Sequence, residues 1–491
     1  MKTPAFWYIY FSRFEILFYH LRHIYYLMRP ISSAEMSAVD ANCEYFGLLP
    51  LQLMENAGAA LARQIRTRAT GDKIVIVAGR GNNAGDAFVA ARHLGDLRVT
   101  VLLLGRSRDI ATEEARRNWK ILDEMGFDLK EVRDPEDLDA LSSYDIVIDA
   151  VFGTGVRGTV RGIEASAIEA MNSCKRTVIS VDVPSGMGTD KEVKPKLTVT
   201  FHRPKVGMSG EVEVASIGIP PAAEFLVGPG DLIPVTFRSN QSHKGNNGRV
   251  LVIGGGAYSG APALSAMAAL RAGADIVTVA TPSAVSKTVA GFSPNLIVRE
   301  LSKDHLSSDD LDVLRELILL HDVVVVGMGL GRDPKTKDAL SRLVPLCEKV
   351  VMDADALLPG VPLKGVITPH EGEFRRICPV LISPGKVPLD VVKNVAKDLE
   401  VTVLLKGKTD LISDGLVVRG NKTGNPGMTV GGTGDVLAGI TGAFYCKTSA
   451  FQAAVAAAFV NGRAGDIACA EKGFGLTATD VIEQIPVAMR R

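Results

Sequence analysis

The chain has 491 residues, 55 Lys+Arg balanced by 55 Asp+Glu, and 46% hydrophobic residues. That length suits two or three domains with their own cores, and the balanced charge supplies no global field for nucleic acid or an anionic membrane. The six cysteines form no C-x-x-C and no pairing with His at ligand spacing. This pattern favours free thiols in a reducing cytoplasm and gives no support for a zinc site.

Residues 1–27 are dense in aromatics, among them Phe6, Trp7, Tyr8, Tyr10 and Phe11. Arg13, Glu15, His20, Arg22 and His23 interrupt the roughly 20 apolar residues that a membrane helix requires. No short apolar core with a small-residue cleavage site follows. The segment is expected to be an extension without function, and Met28 to open the first domain.

From there helix and strand alternate. Helical spacing covers Ser33–Phe46, Leu51–Arg68, Ala84–Leu94 and Thr112–Met125, and Ser32 or Ser33 offers a helix start. Buried-looking runs lie at Lys73–Ala78, Arg98–Leu104, Asp145–Ala150 and Thr177–Val183, then at Lys196–Phe201 and Glu211–Ser216. Apolar runs alternating with helices predict a Rossmann-like, doubly wound parallel sheet with ligands beyond the strands' carboxyl ends. Three of those ends carry polar loops: GRGNNAGD at Gly79–Asp86, DAVFGTG at Asp149–Gly155, and DVPSG at Asp182–Gly186. They put Asn82, Asn83, Asp86, Asp149, Asp182 and Ser185 on one rim. Many acceptor oxygens with few basic partners suit a hard cation, a sugar or ribose hydroxyls; alternatively they stabilise turns.

GRGNNAGDAFVAARHL, DAVFGTGVRG and VDVPSG, in this order, resemble the epimerase domain of the NAD(P)H-hydrate repair enzymes over about Met28 to Phe237. The resemblance implies interconversion of the R and S hydrates at C6 of the reduced nicotinamide ring. It implies potassium (K+) ligands at Asn83, Asp149 and Ser185. Hydrate-binding positions would be Asn82, Asn83, Ala84, Gly85 and Asp86, then Gly153, Thr154, Gly155, Val156, Arg157, Gly158 and Thr159, with Asp182. Asp149, beside the cation, is the expected acid/base. The family pattern NNGGDG is changed by Ala84 and Ala87, and a methyl at Ala84 is expected to narrow the backbone cradle.

A Pro/Gly-rich passage from Gly218 to Pro234 reads as a boundary, with the junction expected near Ser239–Ser242 and domains of 28–240 and 241–491. The second half has strands at Arg249–Ile253, Ile276–Ala280, Val323–Val326, Lys349–Met352, Gly365–Thr368 and Val401–Leu405, and a buried helix at Ala450–Lys472. Its Gly254–Gly256 run lacks G-x-G-x-x-G spacing, so a dinucleotide fold is not supported. In GNPGMTVGGTGDVLAG, Gly424–Gly439, glycines precede an apolar helix. A helix starting there aims free N–H groups at a ligand, which suits phosphate. Asp435 fits a general base acting on a hydroxyl that attacks phosphorus, or a helix cap.

GNPGMTVGGTGDVLAGI, GMGLG, TPHEGEF and LLKGKTDLI resemble the ADP-dependent NAD(P)H-hydrate dehydratases, of ribokinase-like α/β fold, over about Ser242 to Arg491. The resemblance implies Asp435 as catalytic base and hydrate ligand, with Ala257, Gly329 and His370 contacting the hydrate. Lys406, Gly407, Lys408, Thr409, Asp410 and Gly434 would meet the nucleotide, ADP, with Mg2+. Partners would be NADHX and NADPHX, with no nucleic acid or membrane, and a homo-oligomer is expected. The alternative is a kinase of a small alcohol or vitamin precursor fused to a non-catalytic nucleotide-binding module.

Overall fold

A computed structural model describes residues 29–490 apart from 69–70, 237, 303 and 379–386. The readings made for residues 1–27 and for Met28 lie outside the described residues. The chain divides into two compact units, at Pro221 and Ala222.

In the first unit, seven parallel strands lie in the order β3-β2-β1-β4-β5-β6-β7. They are β1 (Lys73–Ala78), β2 (Arg98–Leu104), β3 (Asp128–Val132), β4 (Ile146–Ala150), β5 (Thr177–Val181), β6 (Leu197–Phe201) and β7 (Val212–Ala215). The central strands are apolar throughout because helices cover both faces, so Ile74, Val75, Ile76 and Val77 are all fully buried. Order reverses between β1 and β4, and such a switch point opens a crevice at the carboxyl ends. Helices Ser33–Tyr45 and Pro50–Arg68 precede the sheet. The first begins with a capping box, Ser32 and Glu35 each accepting the other's backbone N–H. Just before it, Ile31 pairs with Lys205, its N–H donating to Pro204 O at 2.8 Å.

The second unit holds nine strands in the order β10-β9-β8-β11-β12-β13-β14-β15-β16. They are β8 (Arg249–Ile253), β9 (Ile276–Pro282), β10 (Ile297–Leu301), β11 (Val323–Val326), β12 (Val350–Met352), β13 (Val366–Ile367), β14 (Thr402–Leu405), β15 (Asp410–Ser413) and β16 (Val418–Asn421). All pair in parallel up to β14; β15 and β16 add an antiparallel edge. Helices Gly260–Arg271, Thr433–Tyr445 and Ala450–Lys472 pack on one face, where Ala266, Ala438, Ala453 and Phe459 are buried together.

The division lies earlier than the junction expected near Ser239–Ser242. Residues after Pro221 bury Val227, Leu232 and Val235 in the second unit's core. The largely buried Asp231 also pairs with Arg419 at 2.9 Å, and Val227 N–H donates to Gly420 O at 3.0 Å. Proline and glycine here shape a packed lead-in to the second unit.

Candidate active sites

Beyond the ends of β1, β4, β5 and β6 lies a cavity of about 750 Å³. Gly79 leaves β1 so close to the loop after β4 that a Cβ would sit 2.0 Å from Val151 O. The helix Asn82–His93 then starts at Gly81 with no side-chain cap, and its first residues line the cavity with N–H groups that no side chain caps. Asn82, Asn83, Asp86, Gly153, Thr154, Gly155, Val156 and Asp182 line it. Arg157, Gly158 and Thr159 do not. Nor do Ala84 and Gly85: Ala84 is fully buried, and a Cβ on Gly85 would meet Met54 and Ala115. The Ala84 methyl therefore fills core and does not narrow the cradle.

Asp149 does not line the cavity either. It is fully buried, and its Oδ2 accepts from Ser180 Oγ at 2.6 Å and Ser185 N–H at 2.9 Å. Burial pushes its pKa up, and these bonds pull it back. The expected acid/base at C6 is thus a buried, hydrogen-bonded carboxylate that is not among the residues lining the cleft. Asn83, Asp149 and Ser185 do come together. Ser185 Oγ and Asn83 Nδ2 both donate to Phe152 O, at 3.3 and 3.0 Å. Asn83 Oδ1 is buried without a hydrogen-bond partner. An orphaned buried acceptor beside a carbonyl and a carboxylate is a donor set that a cation such as K+ satisfies.

The cleft also holds charges that the sequence reading had not singled out. Lys205, on the loop after β6, is buried and forms an ion pair with Asp182. Asp182 Oδ1 further accepts from Thr200 Oγ1 at 3.2 Å and Phe201 N–H at 3.1 Å. Asp182 has φ +61° and His202 φ +66°, left-handed conformations that cost non-glycine residues about 1–3 kcal/mol each. Such strain persists where the surroundings fix a side chain, here the Asp182 carboxylate. Asp40, from the first helix, keeps solvent access at the rim although protein crowds it. That crowding, with Asp182 nearby, raises its pKa to about 6. The helix was legible, but nothing in its pattern marked Asp40 as facing a site.

In the second unit the strand-end loops again converge. After β12, Asp353 is buried and accepts from Lys406 Nζ at 2.8 Å across the sheet from β14. Both face the first turn of helix Thr433–Tyr445. A Cβ on Gly434 would lie 3.3 Å from Lys406 Nζ and 3.8 Å from Asp353 Oδ2, so glycine permits this approach. Asp435 follows, its pKa raised to about 7, first by burial, then by Asp353, with Lys406 opposing and Asp355 adding. Burial lowers the Lys406 pKa, but Asp353, Glu373 and Asp435 outweigh it and hold the ammonium above its ordinary value.

Ala257 and Gly329 lie side by side after β8 and β11, Tyr258 N–H donating to Gly329 O at 3.3 Å. His370 follows β13 as the cap of helix Glu371–Ile377. Its Nδ1 accepts from Gly372 and Glu373 N–H at 3.0 and 3.3 Å, and its Nε2 lies 3.5 Å from Glu373. Asp410 is held in the β14–β15 turn by Gly407 N–H (3.0 Å) and Asn421 (2.9 Å), with Lys408 and Thr409 between. Only Lys406 of that run is carried to Asp435. Asp353 was visible as a loop residue; its partnership with Lys406 joins positions 53 apart and leaves no local signal.

Two family models match the chain: NAD(P)H-hydrate dehydratase over residues 250–487 and YjeF-related protein N-terminus over residues 50–207. The chain is similar to the bifunctional NAD(P)H-hydrate repair enzyme of Archaeoglobus fulgidus, 46% identical and covering 94% of this chain and 99% of that one. It is likewise similar to those of Methanothermobacter thermautotrophicus, 42% identical with 94% and 95% covered, and Pyrobaculum aerophilum, 44% with 94% and 99%.

Proposed function

Because the chain belongs to the family of bifunctional NAD(P)H-hydrate repair enzymes, we propose that its two clefts perform the two steps of that repair. The first unit epimerises the R and S hydrates, and the second dehydrates the S hydrate to NAD(P)H with ADP.

The observation that carries the second assignment is Asp435 at the first turn of its helix, beside the Lys406–Asp353 pair. Asp435 takes the proton of the 6-hydroxyl as that oxygen attacks the β-phosphorus of ADP, and AMP leaves. N–H groups of the helix start and the Lys406 ammonium face the charge that develops on the phosphoryl oxygens. Phosphate is a far better leaving group than hydroxide. The ring nitrogen's lone pair expels it, and loss of a C5 proton restores the dihydropyridine. Ala257, Gly329 and His370 are placed with the hydrate in this reading, and Gly434 with Lys406–Asp410 along the nucleotide. Among the described residues, no group of three His, Cys, Asp or Glu could hold a metal ion. Mg2+ would therefore ride mainly on the nucleotide phosphates.

In the first unit Asn83, Asp149 and Ser185 would hold K+, supported by the orphaned Asn83 Oδ1. The cation would supply positive charge at the floor of the cleft, where Asp149 lacks a basic partner among its hydrogen bonds. No helix among the described residues is long and apolar enough to cross a membrane, and all six cysteines are free. We place the protein in the cytoplasm, as a homo-oligomer. The test is incubation with NADHX or NADPHX and each nucleotide, following the return of NAD(P)H absorbance. ADP-dependent return from the S hydrate is expected; phosphorylation of a simple alcohol with no action on either hydrate would overturn the reading.

A further inference from the structure

The hydrate carbon C6 bears both a hydroxyl and the ring nitrogen N1, so inverting it requires no oxidant. One bond at C6 must break and re-form from the other face. The site then needs two groups on one cavity, one ready to take a proton and one ready to give it. Asp149 does not line the cavity; Asp182 and Asp86 do. Their surroundings differ. All the contacts of Asp182 fall on Oδ1, from Lys205, Thr200 and Phe201, and among the described residues none falls on Oδ2. Lys205 aims Nζ at Asp182, Thr200 Oγ1 (3.1 Å) and Phe201 O (2.8 Å), which uses its three protons. Among the described residues, Asp86 has no such cation on it. Burial, and then the nearby Asp182, push its pKa well up, with Lys205 opposing and Asp40 adding. The other charged groups on the wall are Asp40, Asp109, Glu114 and the Arg80–Glu164 pair, and His202 lies near Asp40.

We infer that Asp182 and Asp86 are the base and acid of the epimerisation, with Lys205 positioning Asp182, an assignment that rests on the epimerase reading of this half. Asp182 takes the 6-hydroxyl proton, and the C6–N1 bond breaks with its electron pair going to N1. C6 becomes a carbonyl, and Asp86 gives its proton to N1. Rotation about C5–C6 turns the other face of the carbonyl to N1. Closure returns one proton to Asp86 and takes one from Asp182, so atoms and charge balance.

The test measures R/S exchange by NMR on full-length protein in K+ buffer without nucleotide, corrected for spontaneous exchange. Asp182→Asn and Asp86→Asn are each expected to slow exchange by about 10²–10⁴-fold. Asp182→Asn should erase the acidic limb of the pH profile, and Asp86→Asn the alkaline limb. Lys205→Met should lower kcat more than it raises KM and move the acidic limb upward, with partial rescue by Lys205→Arg. Should the buried Lys205→Met fail to fold, Asp86→Asn, nearly isosteric, decides alone. Exchange by Asp86→Asn at the wild-type rate and with the wild-type pH profile overturns the proposal. Wild-type protein that never accelerates exchange overturns the epimerase reading and this proposal together, a result distinct from failure of the variants alone.

Discussion

At the scale of single residues, the proposed chemistry of the second unit turns on how Asp435 is charged. A general base must be ionised, so dehydration should fall as pH drops through about 7. Asp353 is the second cause of that high value, after burial. Asp353→Asn removes one negative neighbour and frees Lys406 to favour the carboxylate, so the acidic limb should move to lower pH; a limb that stays put, or moves up, would show that the two do not share a field. Asp435→Asn should cut dehydration by about 10²–10⁴ while leaving the fold intact, and near-normal turnover would remove Asp435 from its role. Stability gives a second sign. The folded pKa lies above the unfolded one, so the stabilising contribution of protonated Asp435 is fully present below about pH 4 and lost as pH rises through about 7. Asp435→Asn should therefore match wild type at pH 4 and be more stable at pH 8, by an amount on the order of a few kcal/mol, as denaturant titration at both values would read. Asp435 was legible because the glycines around it are contiguous in sequence. Asp40, Lys205 and the Lys406–Asp353 pair were not, because each gains its meaning from a partner on another strand or helix.

At the scale of elements, the sequence pattern worked where burial was complete and weakened at edges. Central strands such as β8 and β11 have the bounds that their unbroken apolar runs suggested. β3 and β10 were not seen: each is an edge strand with an exposed Lys130–Glu131 or Arg299–Glu300 pair. Charges on an edge guard against pairing with another chain and erase the apolar run that signals a strand. Helix Thr433–Tyr445 shows what the glycines after Asp435 are for. A Cβ on Gly439 would stand 2.0 Å from Ser265 O of helix Gly260–Arg271, closer than packing allows. Gly439→Ala should then force the two helices apart at about 1–3 kcal/mol. For a unit of this size that is a drop of several degrees in Tm. Because this helix carries Asp435, dehydration should suffer while epimerisation persists. An unchanged Tm would mean that the backbone yields more easily than the geometry implies.

At the scale of the whole molecule, two units with separate cores and separate clefts predict separable failures. A chain begun at Met28 should keep the Tm and both activities of the full length, since the described lining of the first unit's cavity begins at Ser33 and the second unit at Ala222; a clear loss in either would give residues 1–27 a part in the enzyme. The proposed potassium site makes the sharper division. Asp149 is buried with the Ser180 hydroxyl and the Ser185 and Val151 amides as partners but no basic side chain, and Asn83 Oδ1, joined to Ser185 through Phe152 O, is unsatisfied. A cation bound as proposed would offset the carboxylate and pair the orphaned oxygen, so withdrawing it would leave both costs in the folded state of the first unit alone. Replacing K+ with a large organic cation at constant ionic strength should lower the melting temperature of the first unit and slow R/S exchange. The second unit, whose buried Asp353 is paired with Lys406, should still clear the S hydrate with ADP. An R/S mixture supplied with ADP should then lose S quickly and leave R to accumulate, and adding K+ should release the remainder as NAD(P)H. Equal clearance of both epimers without K+, faster than spontaneous exchange allows, would show that Asn83, Asp149 and Ser185 need no cation to hold the cleft together.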